Sequence, residues 1–236
     1  MGSQACRAIE EAPDLELVAA VGRGDPLERL VEAGTQVVVE LTRPDAVMGN
    51  LRWCVERGLH AVVGTSGFTP ERLDEVRRWL GPSPDVGVVV VPNFSVGAVL
   101  MMRFAEQAAR FYESVEIVEL HHARKADAPS GTALRTAERV AAARARAGSG
   151  PVPDATRDDP YGARGASIEG VRVHAVRLPG LVAHQEVLLG SVGELLTLRH
   201  DSFDRSSFMP GLLLAVREVA GRPGLTVGLE HLLDLG

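Results

Sequence analysis

Between residues 119 and 133 the chain reads Glu119-Leu120-His121-His122-Ala123-Arg124-Lys125-Ala126-Asp127-Ala128-Pro129-Ser130-Gly131-Thr132-Ala133, and this segment holds the densest chemistry in the sequence. It carries two of the seven histidines. It also carries the only lysine, Lys125, since every other basic residue is arginine. Arginine serves surface charge well, so a lysine that escapes this bias points to a task arginine cannot do: a compact ammonium on a flexible stem. Ser130-Gly131-Thr132 follows Ala128-Pro129 and opens a helical pattern. A helix start of this kind offers unpaired amides and a positive dipole end to a carboxylate or phosphate, although an ordinary serine or threonine cap has the same spelling. A proton donor, a cation and an anion cradle within a dozen residues suit an acidic substrate that is protonated during reaction. On a strand, His121 and His122 point to opposite faces and His121 shares its face with Glu119. That divergence, with a lysine close by, argues against a metal site; two solvated histidines at a strand end are the plain alternative.

Composition narrows the classes. A chain of 236 residues makes one large domain or two small ones. Hydrophobic residues at 45% and charged residues at 24% are an ordinary globular balance. A net charge of −6 argues against a nucleic-acid partner. Cys6 and Cys54 cannot build a disulfide framework, which suggests a reducing, cytoplasmic setting. The apolar run near Val86–Val91 is too short to span a bilayer, and the N-terminus has no secretory pattern. Arg23-Gly24-Asp25 spells an adhesion triplet, which a cytoplasmic chain would not use.

The elements that must position these residues differ between the two halves. Leu15–Val21, Val37–Leu41, His60–Gly64 and Val86–Val91 are short, mostly valine-rich runs and predict buried strands. Pro44–Arg57 and Pro70–Leu80 predict helices, each with an early proline. Alternation of this kind implies a parallel sheet covered on both faces, with ligands beyond the strand carboxyl ends. Those ends carry Thr42-Arg43-Pro44, Gly64-Thr65-Ser66 and Pro92-Asn93-Phe94. In the second half the pattern gives a helix at Val96–Arg110, a strand at Val115–His122 and a helix from Gly131 to Ala147. A long loop at Gly148–Gly170, either a lid or a surface excursion, precedes strands at Val171–Leu178, Val182–Leu189 and Glu194–Arg199. Ser206–Ala220 returns to a helical period.

The run from His121 to Ala133 resembles the signature of the dihydrodipicolinate reductase family. Thr42-Arg43-Pro44, Gly64-Thr65-Ser66-Gly67-Phe68 and Pro92-Asn93-Phe94-Ser95-Val96-Gly97 fall in the family's order, so the resemblance covers nearly the whole chain. It implies an α/β protein: a Rossmann-like parallel-sheet domain, 1–94 and 206–236, and a mixed α+β substrate and oligomerisation domain, 95–205. It implies NADPH or NADH as cofactor, a small cyclic dicarboxylate as substrate, reduction in the diaminopimelate–lysine pathway, and a homotetramer. It makes His121 the proton donor and Lys125 its catalytic partner. His122, Ser130, Gly131 and Thr132 would bind substrate. Gly64, Thr65, Ser66, Val91, Pro92, Asn93 and Phe94 would touch the dinucleotide, and no metal is called for.

Two places depart from the family. Its first domain begins with a strand and a glycine-rich loop, of which Met1-Gly2 matches only the tail. The expectation is therefore that Leu15–Val21 and Val37–Leu41, second and fourth in the family's count, form no ladder with each other, which favours aggregation. After Leu15–Val21, Gly22 stands where an acidic residue commonly holds a ribose; Arg23 beside it is expected to meet a ribose phosphate and favour NADPH. His184 is expected to be a satisfied core or interface histidine. A turnover-deficient dinucleotide-binding homologue and another Rossmann oxidoreductase are the competing readings.

Overall fold

The computed structural model describes residues 1–234. The chain divides into two compact units, Met1–Val96 with Arg205–Gly236, and Gly97–Asp204.

The first unit is built on four parallel strands: β1 (Val37–Glu40), β2 (His60–Val63), β3 (Gly87–Val90) and β9 (Gly224–Val227), in the order β1-β2-β3-β9. Consecutive apolar residues form β2 and β3 because both faces of these central strands are covered, whereas β1 and β9 at the edges are mostly half-buried. Val62, Val63, Val88 and Val89 are fully buried, each worth roughly 1.5–3 kcal/mol. Helices α3 (Val47–Glu56) and α4 (Pro70–Leu80) place Val47, Leu51 and Val76 against Ala61, Val63, Val88 and Val90. Helix α4 begins as its sequence dictates, with Pro70 first and the Thr69 hydroxyl accepting from the Arg72 amide at 3.4 Å. Helix α3 starts three residues after Pro44, so that proline precedes the helix rather than opening it.

Four further features of this unit add to or correct the sequence reading. Leu15–Val21 adopts no regular structure. Its burial still alternates with period two, with Leu15, Leu17, Ala19 and Val21 turned inward. Among the described residues it forms no ladder with β1, as expected, and joins no other strand either. A strand needs a partner for its backbone amides and carbonyls, and among the described residues β1 pairs only with β2. A cleft of about 630 Å³ lies between Leu15–Val21 and β1, flanked by α1 (Gly2–Glu10) and by Val216 of α7 (Met209–Glu218). The pattern also missed α2 (Glu28–Glu32) and β9, a four-residue strand with no fully buried side chain.

The second unit has a mixed sheet: β4 (Ser114–His121), β5 (Ala166–Ile168), β6 (Val171–Arg177), β7 (Ala183–Ser191) and β8 (Glu194–Ser202), in the order β5-β6-β4-β7-β8. Only β4 and β6 run parallel. Helix α5 (Val96–Ala108) leads into it, and α6 (Gly131–Arg146) packs on the face of β4, β5 and β6. That face of β4 carries Val115, Ile117 and Glu119, all fully buried; Glu116, Val118 and Leu120 on the other face are half-buried. Buried Arg144 near the end of α6 donates to the carbonyls of Ala109, Tyr112, Glu113 and Gly150 at 2.5–3.3 Å, tying α6 to the end of α5. The segment expected to be a 148–170 loop contains β5, and its Arg164 and Asp154 pair with Glu116 and Arg172 on the sheet. His184 is buried, with Nδ1 2.7 Å from Asp201 and Nε2 accepting from the Val182 amide at 3.2 Å, which makes it a satisfied core histidine. No helix of the described residues is long and apolar enough to cross a membrane.

Candidate active site

Strand β4 ends at His121, so His122 lies beyond it, exposed, on the turn that follows. The strand's alternation puts His121 two residues beyond Glu119 on the same face. His121 Nδ1 is 2.6 Å from Glu119 Oε2. Glu119 has no exposed side-chain surface. Burial by itself would raise its pKa. Hydrogen bonds from Arg177, from His121 and from the Ser130 amide outweigh that and hold it below the usual carboxylate range. Arg177 donates through both terminal nitrogens to Glu119, at 2.7 Å each, and to the Asp127 carbonyl at 2.7 Å. An ionised Glu119 accepts from His121, so Nδ1 carries the imidazole proton and Nε2 is left for a ligand. Burial pushes His121 below its usual value, Glu119 pulls it back up, and the Lys125 and Arg177 cations push it down again.

Lys125 folds onto Asp127, with Nζ at 2.8 and 3.0 Å from the two carboxylate oxygens. Its side chain is 21% exposed, so it sits nearer the protein than a freely solvated lysine. The chain then passes a cis Ala128–Pro129 peptide and caps α6. Ser130 is buried; its hydroxyl accepts from the Ala133 amide at 3.1 Å and its own amide donates to Glu119 Oε1 at 3.0 Å. The serine thus makes the ordinary cap and also links the helix start to the histidine. Gly131, first in the helix, is exposed, with open space where a side chain would stand. Thr132 follows, its carbonyl accepting from Thr136 at 2.7 Å.

The other expected residues lie in the first unit, at the carboxyl ends of its strands. After β1, the buried Glu40 carboxylate accepts from the amide and hydroxyl of Thr42. After β2 come Gly64, Thr65 and Ser66, and after β3 come Val91, Pro92, Asn93 and Phe94. A Cβ on Gly64 would strike the Phe94 ring and come within 2.7 Å of a Leu41 methyl, so the three rim segments meet at this glycine. Arg72 braces the rim from α4, donating to the carbonyls of Pro44 and Gly67 at 3.1 and 3.0 Å. Asn93 Oδ1 accepts from the Ser95 amide at 2.9 Å. Val91, Thr65 and Phe94 are buried, while Ser66 and Pro92 are exposed. The Thr65 hydroxyl is buried without a hydrogen-bond partner among the described residues, an orphan that a bound polar group would satisfy. Arg23 is exposed on the Gly22–Asp25 turn, which closes through Gly22 N–H to Asp25 at 2.7 Å. Among the described residues no group of three or more His, Cys, Asp or Glu could hold a metal ion.

Sequence reasoning missed Arg177. It lies 58 residues from Glu119, and only the β4–β6 register, which pairs His121 with Arg177, brings it to the site.

Two family models match the chain: "Dihydrodipicolinate reductase, N-terminus" over residues 1–94 and "Dihydrodipicolinate reductase, C-terminus" over residues 97–233. Among curated relatives, the 4-hydroxy-tetrahydrodipicolinate reductase of Nocardia farcinica is 66% identical over 235 residues, covering 100% of this chain and 95% of the relative. That of Streptomyces griseus is 65% identical, covering 100% of this chain and 94% of the relative. Among solved structures, a dipicolinate-bound dihydrodipicolinate reductase from Paenisporosarcina sp. TG-14 superposes with a TM-score of 0.85 at 37% identity, covering 98% of this chain and 95% of that one. An amine dehydrogenase from Mycobacterium smegmatis, at 15% identity and a TM-score of 0.54 with 89% and 79% of the two chains covered, shares the fold alone. The chain belongs to the dihydrodipicolinate reductase family.

Proposed function

We propose that the chain reduces 4-hydroxy-tetrahydrodipicolinate to tetrahydrodipicolinate in the diaminopimelate–lysine pathway, with NADPH or NADH as reductant and the substrate hydroxyl leaving as water. The observation that carries this reading is the chain's identity of 57–66% with relatives named for that reaction, across its full length. The neighbour of 37% identity is described as bound to dipicolinate, a flat cyclic dicarboxylate, and this chain's His121–Thr132 segment has the groups such a dianion needs. When bound, the nicotinamide supplies the hydride. Gly64–Ser66 and Val91–Phe94 would hold the dinucleotide, with the unsatisfied Thr65 hydroxyl available to it and Arg23 toward a ribose phosphate.

The residues of the second unit divide the rest of the work. The Gly131 and Thr132 segment of the α6 start, and His122, take the substrate carboxylates; a helix N-terminus favours anions through its amides and dipole. Ser130 supports that start through its cap. Lys125 exchanges Asp127 for the substrate and contributes a point charge. His121 gives the proton from Nε2. Burial, with the neighbouring cations, holds its pKa below the usual value in the free protein; a bound dianion opposes this and raises it, so the acid forms where it is needed.

The same reading makes the protein a cytoplasmic homotetramer. The half-buried face of Glu116, Val118 and Leu120, with Val176 37% and Leu195 66% exposed, supports self-association.

The test is oxidation of NADPH or NADH with substrate made in situ by the preceding synthase. His121→Gln is expected to lower kcat by about 10²–10⁴-fold, and His122→Gln to act mainly on KM. Dinucleotide binding without turnover would replace this reading with that of a turnover-deficient binding homologue.

A further inference from the structure

We propose that Glu119 and Arg177 form a positioning pair that fixes the tautomer of His121 and couples that histidine to the anion-binding start of α6. The inference rests on the reading of His121 as proton donor and goes beyond it.

Glu119 is a carboxylate with no exposed side-chain surface, and four hydrogen bonds reach it. A buried charge is costly unless paired and hydrogen-bonded, and a purely structural bond could have been made by a neutral side chain. The four donors are not placed at random. Two come from the planar fork of Arg177, which holds the carboxylate in one plane. One comes from His121, and the last from the Ser130 amide directly before the α6 helix. Oε1 therefore touches the helix start and Oε2 touches the histidine. A carboxylate bridging the two fixes both: Nδ1–H must point at Glu119, and the Ser130 cap cannot drift from the imidazole. Arg177 extends the link by donating to the Asp127 carbonyl, beside the carboxylate that holds Lys125.

The charged groups facing His121 are Glu119 on its own strand, Arg177 from β6 and Lys125 from the turn. Strand β7 sets uncharged Ala183 opposite. Glu119 is the single anion among them, so it alone favours the imidazolium, and its removal leaves two cations working against protonation.

The experiment combines kinetics with nitrogen chemical shifts of the His121 ring. In the unaltered protein the spectrum is expected to show Nδ1 protonated and Nε2 unprotonated at neutral pH. Glu119→Gln keeps the shape and loses the charge. It is expected to lower kcat about 10–100-fold with KM nearly unchanged. It should also move the limb of kcat/KM that reports His121 to lower pH by about one unit, and shift the ring to the other tautomer. Arg177→Lys keeps a cation beside Glu119 but loses the fork. A smaller fall in kcat is expected, with the wild-type tautomer retained. His121→Gln separates the two claims: an active His121→Gln enzyme overturns the reading of His121 itself. An inactive His121→Gln enzyme beside a wild-type-like Glu119→Gln enzyme overturns only the positioning pair. Should Glu119→Gln not fold, an Nε2-protonated ring in the unaltered protein would by itself overturn the proposal.

Discussion

In the first unit, the rim at the ends of β1, β2 and β3 is set by shape. Gly64 admits the Phe94 ring and a Leu41 methyl, and Gly211 of α7 lets the Phe94 carbonyl come closer still. In the second unit, the residues around His121 are set by charge. Glu119, Arg177, Lys125 and Asp127 pair within 3 Å, and the helix start is drawn in through the Ser130 amide. On the proposed function, the difference follows from what each region would do. A dinucleotide is a long ligand that needs backbone surfaces brought close, so small residues and tight contacts serve it. A proton donor needs its ionisation balanced, and only nearby charges and burial can do that.

The largest effect that tests this contrast is at Lys125. Lys125→Ala is expected to lower kcat by about 10²–10³-fold, a loss within the range for a positioned charged group. Its pair with Asp127 is partly exposed, so stability should change by less than about 1 kcal/mol. Lys125→Arg is expected not to restore turnover, because a planar fork does not replace a point ammonium. Steady-state kinetics beside thermal unfolding separates the two quantities, and near-normal turnover of the arginine variant would break the contrast.

Next come two glycines that should respond in opposite ways. Gly64→Ala drives a methyl into Phe94 and Leu41, and overpacking of this kind costs about 1–3 kcal/mol. It is expected to lower the melting temperature and weaken dinucleotide binding together. Gly131→Ala meets open space and sits in a helix, so stability is expected to hold or rise by up to about 1 kcal/mol. KM for the dicarboxylate should nevertheless rise, because the methyl would stand over the amides proposed to bind the anion. Equal losses of stability in the two variants would remove the distinction between a rim held by packing and a cradle held open.

The smallest effect is at Arg23, an exposed arginine on a turn. Arg23→Ala is expected to reduce the preference for NADPH over NADH by about 5–10-fold, the worth of one solvent-screened phosphate contact of roughly 1 kcal/mol. An unchanged ratio of kcat/KM values would place Arg23 outside the dinucleotide site.

Much of this arrangement was legible locally. The alternation of β4 already put Glu119 beside His121, and the Thr69-Pro70 start of α4 needed no tertiary information. The strand reading of Leu15–Val21 failed for a physical reason. Its apolar alternation is real and shows in its burial, but a strand exists only when another backbone accepts its hydrogen bonds. The same dependence on a partner hid β5 inside a loop and hid β9 altogether, since each is short and gains its identity from the strand beside it.

The sequence by itself determined the apolar runs that become β1, β2 and β3 and the cap and charge pattern of the 119–133 segment. Their causes lie within a few residues: side-chain periodicity, proline geometry and capping hydroxyls. Only the tertiary structure decided that Arg177 would clamp Glu119, that Gly64 is a packing position, that Lys125 rests on Asp127, and that Leu15–Val21 stays outside the sheet. The first, second and last depend on strand pairing between residues far apart in the chain. The exception is Lys125 with Asp127, two residues apart, whose contact depends on how the turn folds back on itself.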